Sequence, residues 1–313
     1  MTADATGLQT EIEHAIDEIA VRVVADPLDA ATVPAGEVAA LMTRFSLRSP
    51  AEVALLALPV ARQLARPPIS GYHVAAVGIE AETGDLVLGG DLEFPGTELT
   101  TTIHAEGFVA LRARRRGHTL ATLALRVGHP CAHCRQVLSE SAAADGLELV
   151  DTEGGRLRMD DIYPWPFRPG ALGLEGDQPG RINWPNLAWY QAAPPVDVAE
   201  ALFEAGQRAH APYSGAPSAV ALQTEDGRMV SAGCVESVAF NSSITALQAA
   251  LVELAAARID PAEIDMAWLA RTKHGAVNPE CGFQELLTAV VKRPGGLTAQ
   301  EPGGGTFRWR TGA

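Results

Sequence analysis

The sequence lacks any uninterrupted apolar run that approaches the roughly 20 residues needed to span a membrane, although 47% of its 313 residues are hydrophobic. We therefore expect no membrane association. Basic residues are also scarce, since 24 lysines and arginines stand against 38 acidic residues and give a formal net charge of −14. Nucleic-acid-binding proteins usually carry a basic stripe that attracts phosphates. This charge disfavours a nucleic-acid partner and favours small uncharged substrates.

Cysteine is nearly absent, and no targeting segment is evident. Four cysteines are too few to indicate a disulfide framework, and the C-x-x-C pair Cys131 and Cys134 suits a metal or redox site in a reducing compartment. The opening residues MTADATGLQTEIEHAIDE are acidic and lack the basic and apolar regions of a signal peptide. We therefore expect a cytoplasmic protein.

The pattern along the chain predicts four segments. Apolar residues at helical spacing predict a small helical domain at 1–47. Short apolar runs alternate with helical patterns over 48–155, which predicts an α/β core. A stretch rich in Pro, Gly and Trp predicts a connector at 156–190. Residues 191–313 repeat the pattern of the first core, and a chain of 313 residues has room for two such modules.

Within the first core, the sequence predicts a hairpin around the turn at 82–85 and then a helix at 104–116. A buried strand at 120–127 and a second helix at 131–143 complete the predicted alternation. The last turns of the first helix carry several arginines, which we expect to complement the negative end of the helix dipole and to meet solvent. These residues are Arg112, Arg114, Arg115 and Arg116.

The strongest signal is the motif H-A-E followed by P-C-A-H-C, a combination typical of zinc-dependent deaminases. The imidazole of His104 and the thiolates of Cys131 and Cys134 are expected to bind one zinc ion per chain and to leave its fourth position for water. Glu106 stands two positions after His104, close enough to move protons without binding the metal. These residues predict hydrolytic deamination at C4 of a cytosine ring.

These residues also admit other interpretations. A C-x-x-C pair alone could be a redox pair or half of a structural zinc site, but a structural site needs four protein ligands and no second C-x-x-C is present. His129 and His133 are expected to face solvent or to pack in loops rather than to bind metal. Cys234 and Cys281 have no partner at metal-ligand spacing, and we expect both to be buried small hydrophobic residues.

The second core repeats the first without its chemistry. In the first core Glu93 is followed by the H-A-E motif, whereas in the second Glu236 is followed by T-A-L at 245–247 and no C-x-x-C comes after it. The second core has therefore lost the metal ligands and the proton shuttle. We expect it to be structural and to shape a dimer, because a duplicated fold can keep its packing face after losing its chemistry.

The chain resembles the long, dimeric cytidine deaminases, which join a small N-terminal helical domain, a catalytic core and a degenerate second core. The resemblance covers nearly the whole length. It rests on G-Y-H-V at 71–74, D-L-E-F at 91–94, H-A-E at 104–106, P-C-x-x-C-R-Q at 130–136, P-F-R-P at 166–169, H-A-P-Y-S at 210–214 and E-S-V-A-F-N at 236–241.

That resemblance implies a duplicated cytidine deaminase-like α/β/α sandwich with a mixed sheet, preceded by a small helical domain. It implies a homodimer in which the partner subunit completes each active site. It also implies the conversion of cytidine or deoxycytidine to uridine or deoxyuridine plus ammonia, as in pyrimidine salvage.

The resemblance further implies a set of substrate contacts. The family's Asn-x-Glu pair, which holds the ribose 3′-hydroxyl, corresponds here to Asp91 and Glu93. The family's aromatic residue that packs on the pyrimidine corresponds to Tyr72, where phenylalanine is usual. The remaining expected contacts are Ala105 and Phe167 in the first core, and Ala239 and Phe240 acting from the partner subunit.

Two departures from the family pattern leave the substrate open. Asp91 replaces the family's Asn and cannot donate from an amide, and His73 replaces the Asn that usually follows the aromatic position. These differences keep a modified cytosine nucleoside or a nucleoside antibiotic as an alternative substrate. A catalytically silent binding or regulatory protein is the alternative from another class, and polynucleotide editing is disfavoured by the acidic charge.

Overall fold

A computed structural model describes residues 2–21, 27–126, 129–141, 144–174, 193–272, 275–291, 297–299 and 306–311. The chain divides into two compact units. The first unit comprises Met1–Leu92 and Ile103–Pro179, and the second unit comprises Glu93–Thr102 and Gly180–Ala313. The domain boundaries expected after residues 47, 155 and 190 stay predictions, and the part of the predicted connector at 175–190 lies outside the described residues. None of the described helices is both long and apolar enough to cross a lipid bilayer.

The first unit is a sheet with helices packed on it. Its strands are β1 Thr32–Val33, β2 Ala75–Glu80, β3 Leu86–Gly90, β4 Leu120–Leu125, β5 Glu148–Asp151 and β6 Arg156–Arg158. Its helices are α1 Thr2–Ala20, α2 Ala35–Phe45, α3 Pro50–Leu56, α4 Leu58–Ala61, α5 Ala105–Arg116, α6 Ala132–Leu138 and α7 Met159–Ile162. Strands β2 and β3 are buried at every position, as expected for strands that are covered on both faces.

The six-stranded sheet has the order β1-β3-β2-β4-β5-β6. Strands β4 and β5 are parallel, with Leu123 opposite Leu149, and the other neighbours are antiparallel. Helix α6 lies between β4 and β5 in the chain, and a parallel pair requires such a crossover. The mixed sheet predicted for the first core is thereby confirmed.

Two successive glycines in β3 let the chain approach the sheet closely from both sides. A Cβ atom on Gly89 would lie 2.9 Å from a ring carbon of Phe108 and 3.1 Å from the carbonyl oxygen of Ala105, both in α5. A Cβ on Gly90 would collide with the backbone of Ala65. Because successive strand residues point to opposite faces, α5 packs on one face of the sheet and the segment around Ala65 on the other.

The second unit repeats this arrangement. Its helices are α8 Val196–Gln207, α9 Ala246–Ala256 and α10 Glu280–Val291, and its strands are β7 Ser218–Thr224, β8 Met229–Gly233, β9 Ile264–Arg271, β10 Leu297–Ala299 and β11 Thr306–Thr311. The sheet order is β10-β11-β9-β7-β8, and every described pair in it is antiparallel. The chain leaves α10 into β10 at the edge and returns as β11 beside β9. Strand β11, which is antiparallel to β9, therefore takes the place that the parallel strand β5 holds beside β4 in the first unit.

Isolated backbone bridges show which residues of the two units correspond. In the first unit Leu92 pairs with Arg66 and with Ile103. In the second unit Val235 pairs with His210 and with Ile244. In each unit the first of these bridges is parallel and the second is antiparallel. The residue after the second bridge is His104 in the first unit and Thr245 in the second, so the start of α9 is the counterpart of the start of α5.

Arg112, near the end of α5, does not meet solvent, and the prediction that it would was wrong. Its side chain is fully buried and donates hydrogen bonds to the carbonyl oxygens of Leu28, at 2.9 Å, and of Ala30. Arg115 is buried as well, with 8% exposure. The segment that precedes β1 covers this end of the helix, and the sequence pattern of α5 alone gave no sign of that cover.

Arg116 is the centre of an ion-pair cluster. It contacts Glu80 at 2.7 Å, Asp85 at 2.6 Å and Asp29 at 2.8 Å. The side chain of Glu80 has 0% exposure and that of Arg116 only 9%. Burial lowers the pKa of Arg116, but its ion pairs outweigh that effect and the net pKa is raised. The cluster fastens the end of α5 to strand β2 and to the segment before β1.

The two cysteines outside the C-x-x-C pair differ. Cys234 is buried, as predicted, whereas Cys281 is exposed, so that part of the prediction was wrong. Helix α10 buries Phe283, Leu286, Leu287 and Val291, a stripe at the spacing of one helix face. Cys281 lies in the first turn and off that stripe.

Candidate metal centre and active site

The starts of two helices carry the residues that the motif singled out. His104 is the N-cap residue of α5, and Cys131 is the N-cap residue of α6. The Sγ atom of Cys131 accepts a hydrogen bond from the backbone N–H of Cys134 at 3.5 Å. A helix N-terminus carries a partial positive charge, which stabilises a thiolate placed there. The sequence expectation that Cys131 would begin a helix is therefore met, and that helix ends at Leu138.

Three ligand atoms converge at this point. The Nδ1 atom of His104 lies 3.5 Å from the Sγ atom of Cys131 and 3.5 Å from that of Cys134. All three atoms lie within 4.8 Å of one another, and no other such group of His, Cys and acidic residues was found among the described residues. Tetrahedral zinc bonds of about 2.0 Å to nitrogen and about 2.3 Å to sulfur place these atoms about 3.5 Å apart. The donor set and its spacing fit a zinc ion.

The two sulfurs differ in how readily they ionise. The pKa of Cys131 is lowered to about 4, first by a hydrogen bond from the Cys134 thiol and, against the cost of burial, by backbone N–H groups and His104. The pKa of Cys134 is raised because it donates that hydrogen bond and is buried. Cys131 is therefore ready as a thiolate, and metal binding must displace the proton of Cys134.

Glu106 lies in the first turn of α5, beside these ligands. It is 7% exposed, and its carboxylate lies near the side chain of Cys134. Burial raises the pKa of Glu106, although its own backbone N–H and His104 oppose the shift. The structure thus brings together the four residues expected to carry the chemistry.

The structure gives Asp91 a role that the sequence did not suggest. Its side chain is 4% exposed, and its Oδ1 atom accepts the backbone N–H of Val74 at 2.7 Å. The corresponding pair in the second unit is Cys234 and Ser218, where the Sγ atom accepts the backbone N–H at 3.3 Å. A side chain at this position therefore ties the start of one strand to the end of its neighbour, and in the first unit that start follows Tyr72 and His73.

The other expected substrate contacts fall into three groups. Ala105 is fully buried in α5. Tyr72 and Phe167 belong to the first unit and expose 74% and 46% of their surfaces. The remaining residues belong to the second unit: Glu93, Ala239 and Phe240.

Arg135 and Gln136 of α6 contact the start of the predicted connector. Arg135 donates to the carbonyl oxygens of Pro130, at 2.6 Å, and Ile162, at 2.7 Å. Gln136 donates to the carbonyl oxygen of Phe167 at 2.6 Å and accepts the hydroxyl of Tyr163 at 2.7 Å. The metal-binding helix and the segment that carries Phe167 are thus linked directly. The contacts with Ile162, Tyr163 and Phe167 span 27 to 31 positions, so no local pattern could have shown them.

The flanking histidines and the second unit agree with the sequence expectations. His129 and His133 are exposed. At the start of α9, Thr245 accepts the backbone N–H of Gln248 and caps the helix, and Leu247 is buried. The second unit therefore has no metal ligand at the position that His104 holds in the first.

Comparisons with known proteins agree with this site. The family model described as the cytidine and deoxycytidylate deaminase zinc-binding region matches residues 49–146, and a second model with that description matches residues 185–281. A cytidine deaminase of Aliivibrio fischeri is 33% identical over 240 residues, covering 76% of this chain and 79% of that protein. A cytidine deaminase of Proteus mirabilis is 31% identical over 257 residues, covering 82% and 85%.

A solved structure, the cytidine deaminase from Mycobacterium tuberculosis, matches 34% of this chain and 89% of its own length, with 27% identity and a TM-score of 0.31. A score this low adds nothing to the sequence match. The two successive family matches confirm the duplication that the sequence predicted.

Proposed function

We propose that this chain, which belongs to the cytidine deaminase family, hydrolyses cytidine and deoxycytidine to uridine and deoxyuridine plus ammonia. One observation carries the proposal: the ligand atoms of His104, Cys131 and Cys134 converge at the spacing of a zinc site, with the carboxylate of Glu106 buried beside them. A bound zinc ion supplies Lewis-acid activation of water at this corner. The substrate supplies the ring nitrogen and the leaving amine.

Glu106 is the proposed proton shuttle. Its carboxylate accepts one proton from the attacking water and transfers it to N3 of the cytosine ring. It then takes the second proton, from the hydroxyl group added at C4, and gives it to the amine, which leaves as ammonia while the C4 carbonyl forms. The position in the first turn of α5 holds it next to the ligands, and its burial keeps bulk water from competing for the proton.

The substrate contacts follow from family membership and remain proposals. Tyr72 and Phe167 are proposed to pack on the base, with Ala105 beside it, and Asp91 and Glu93 are proposed to hold the ribose. Both rings are exposed and therefore accessible to a substrate.

Ala239 and Phe240 are proposed to complete the site of a partner subunit in a homodimer. Phe240 is 65% exposed and has a backbone φ of 55°, a conformation that costs energy for a non-glycine residue. Mixing two inactive variants tests this arrangement: Glu106→Gln and Phe240→Ala, unfolded and refolded together, should regain activity through hybrid dimers with one intact site. Absence of recovery in a mixture shown to contain hybrids would refute the arrangement. We also propose a cytoplasmic location and a role in pyrimidine salvage, without a nucleic-acid or membrane partner.

Activity is tested by the loss of cytidine ultraviolet absorbance together with zinc analysis. Wild type should turn over and hold about one zinc per chain. Glu106→Gln should keep its zinc and lose at least about 100-fold in kcat, the scale of a lost general acid–base catalyst. Glu153→Gln, an exposed carboxyl in the turn between β5 and β6, is the matched control and should behave as wild type. Normal turnover by Glu106→Gln would remove Glu106 from the mechanism.

A second candidate substrate is a cytosine nucleoside with a modified sugar. The observation that favours it is Asp91, which places a carboxylate where the family has an amide and engages one oxygen with Val74. Comparison of kcat/KM for cytidine, deoxycytidine and sugar-modified cytidines distinguishes the two. A preference of more than about tenfold for a modified sugar would favour the second candidate.

A further inference from the structure

The segment Glu93–Thr102 is a loop whose two ends are joined. Leu92 and Ile103 exchange backbone hydrogen bonds of 2.8 and 2.9 Å, so the loop begins and ends at one backbone bridge. Glu93 begins the loop, and the metal ligand His104 follows directly after its closing pair. Because Glu93 is the first residue of the loop, a shift of the loop also shifts Glu93.

Inside the loop, short-range hydrogen bonds set its shape. The hydroxyl of Thr97 donates to the carbonyl oxygen of Phe94 at 2.8 Å and lies 2.7 Å from the hydroxyl of Thr101. The hydroxyl of Thr101 lies 2.7 Å from the carbonyl oxygen of Glu98, to which it donates. Gly96 has a φ of 91°, which favours glycine. These contacts make the loop a unit but do not anchor it to anything beyond itself.

Gln248 supplies an anchor from the second unit, to which the loop belongs. Its Nε2 atom donates to the carbonyl oxygen of Thr101 at 2.8 Å. Its Oε1 atom accepts the backbone N–H and the hydroxyl of Thr245, each at 2.9 Å. Gln248 is only 6% exposed, and a buried hydrogen bond of this kind costs more to lose than an exposed one.

The place of Gln248 in the fold is informative. It stands in the first turn of α9, the counterpart of the turn that carries Glu106 in α5, and the metal-ligand position is taken by Thr245. A Cβ atom on Gly96 would lie 3.8 Å from the Cβ of Ala289 in α10, so a second helix of the same unit also packs against the loop. In the second unit, the first turn of α9 therefore holds the Glu93–Thr102 loop of the same unit instead of carrying catalytic residues.

We propose that Gln248 is a positioning residue for nucleoside binding, because its amide fixes the Glu93–Thr102 loop and thereby the carboxylate of Glu93. The link to substrate rests on the proposed function, in which Glu93 holds the ribose 3′-hydroxyl.

Gln248→Glu separates the two roles of this residue. A glutamate here still accepts the N–H and hydroxyl of Thr245, as in a capping box, but it has no N–H for the Thr101 carbonyl. Gln248→Ala removes both contacts. The matched control is Gln223→Glu, which makes the same charge change on β7 away from the loop.

Gln248→Glu should raise hydrogen exchange of the backbone amides of residues 97–103 about tenfold, as expected when one buried hydrogen bond is lost. The KM for cytidine should rise about fivefold to tenfold, with kcat within about twofold of wild type and zinc content unchanged. The KM for 3′-deoxycytidine, which lacks the hydroxyl that Glu93 holds, should not change. Gln223→Glu should match wild type in every measurement.

Unchanged exchange in Gln248→Glu would overturn the proposal. Raised exchange with an unchanged KM for cytidine, or an equal rise for 3′-deoxycytidine, would overturn the link through Glu93. If wild type fails to deaminate cytidine, the proposed function fails, while the exchange measurement still decides whether Gln248 holds the loop.

Discussion

Removal of the Arg116 guanidinium should destabilise the first unit strongly and leave its chemistry intact. Arg116→Met keeps the apolar stem of the side chain but strands the carboxylate of Glu80, which has 0% side-chain exposure. The pairs with Asp29 and Asp85 involve exposed or partly exposed carboxylates and contribute little each. The cost is therefore dominated by the buried carboxylate of Glu80, which loses its guanidinium partner and keeps only Thr83 and the more distant His118.

Breaking a buried ion pair by removing one partner costs about 3–5 kcal/mol. The hydroxyl of Thr83 still donates to Glu80 at 2.7 Å, so we expect the lower end, about 3 kcal/mol. For a unit of this size, that loss lowers the melting temperature by about 6–12 °C. Calorimetry of the zinc-loaded protein measures it, and kcat/KM for cytidine at 25 °C should stay unchanged, because His104 and Glu106 lie at the other end of α5.

Two further variants sharpen this test. Replacing both partners, in Arg116→Met with Glu80→Met, should bring the melting temperature back to within about 4 °C of wild type, because apolar residues can replace a buried ion pair at little cost. Arg44→Met breaks an exposed pair with Glu11 and should cost less than about 1 kcal/mol. A melting temperature of Arg116→Met within about 1 °C of wild type would refute this reasoning, as would a double variant less stable than either single one.

Three other outcomes follow from the site and its surroundings. Chelation should abolish deamination and lower the melting temperature, and added zinc should restore both. A ligand at 1,000 times its Kd stabilises the folded protein by about 4 kcal/mol. Full activity in verifiably metal-free protein would contradict the zinc site. Asp91→Asn keeps an acceptor for the Val74 N–H and should alter sugar preference with little change in stability. Asp91→Ala leaves that part-buried N–H without its acceptor and should cost about 1 kcal/mol in urea unfolding. Burial opposes ionisation of Glu82, but the hydroxyl and N–H of Thr119 outweigh it and lower its pKa below 4.5. Its contribution to stability is present above 4.5 and is lost as pH falls through the lowered folded pKa. The small deficit of Glu82→Gln at pH 7 should therefore shrink as pH falls below 4.5, and a deficit that is constant with pH would contradict the assignment.

The metal corner could be predicted from the sequence because its determinants are local. His104 and Cys131 each stand at the first position of a helix, and Cys134 lies one turn after Cys131. For the two cysteines, spacing along the chain therefore translates directly into spacing between sulfur atoms. The approach of His104, 27 positions before Cys131, is a long-range contact, and only the motif as a whole predicted it. The duplication was equally visible, since Thr245 and His104 occupy the same place in two copies of one pattern.

Long-range contacts account for what the sequence did not show. The arginines of α5 have the composition of a solvated helix end, and only the fold reveals that residues 27–30 lie over Arg112. The acceptor role of Asp91 toward Val74 depends on how β2 and β3 pair. The antiparallel sheet of the second unit depends on the return of β11 beside β9, which periodicity within either strand cannot specify.

The paired glycines of β3 have a consequence for protein engineering. Gly89 sets how near α5 can come to the sheet, and Gly90 does the same for the segment at Ala65. In a saturation library that includes these two positions, most variants should carry a side chain that clashes with its neighbours, and those at Gly89 should displace α5 with His104 and Glu106. A library for new nucleosides should instead vary the proposed substrate contact Tyr72, which is exposed, so that a change of side chain leaves the scaffold undisturbed.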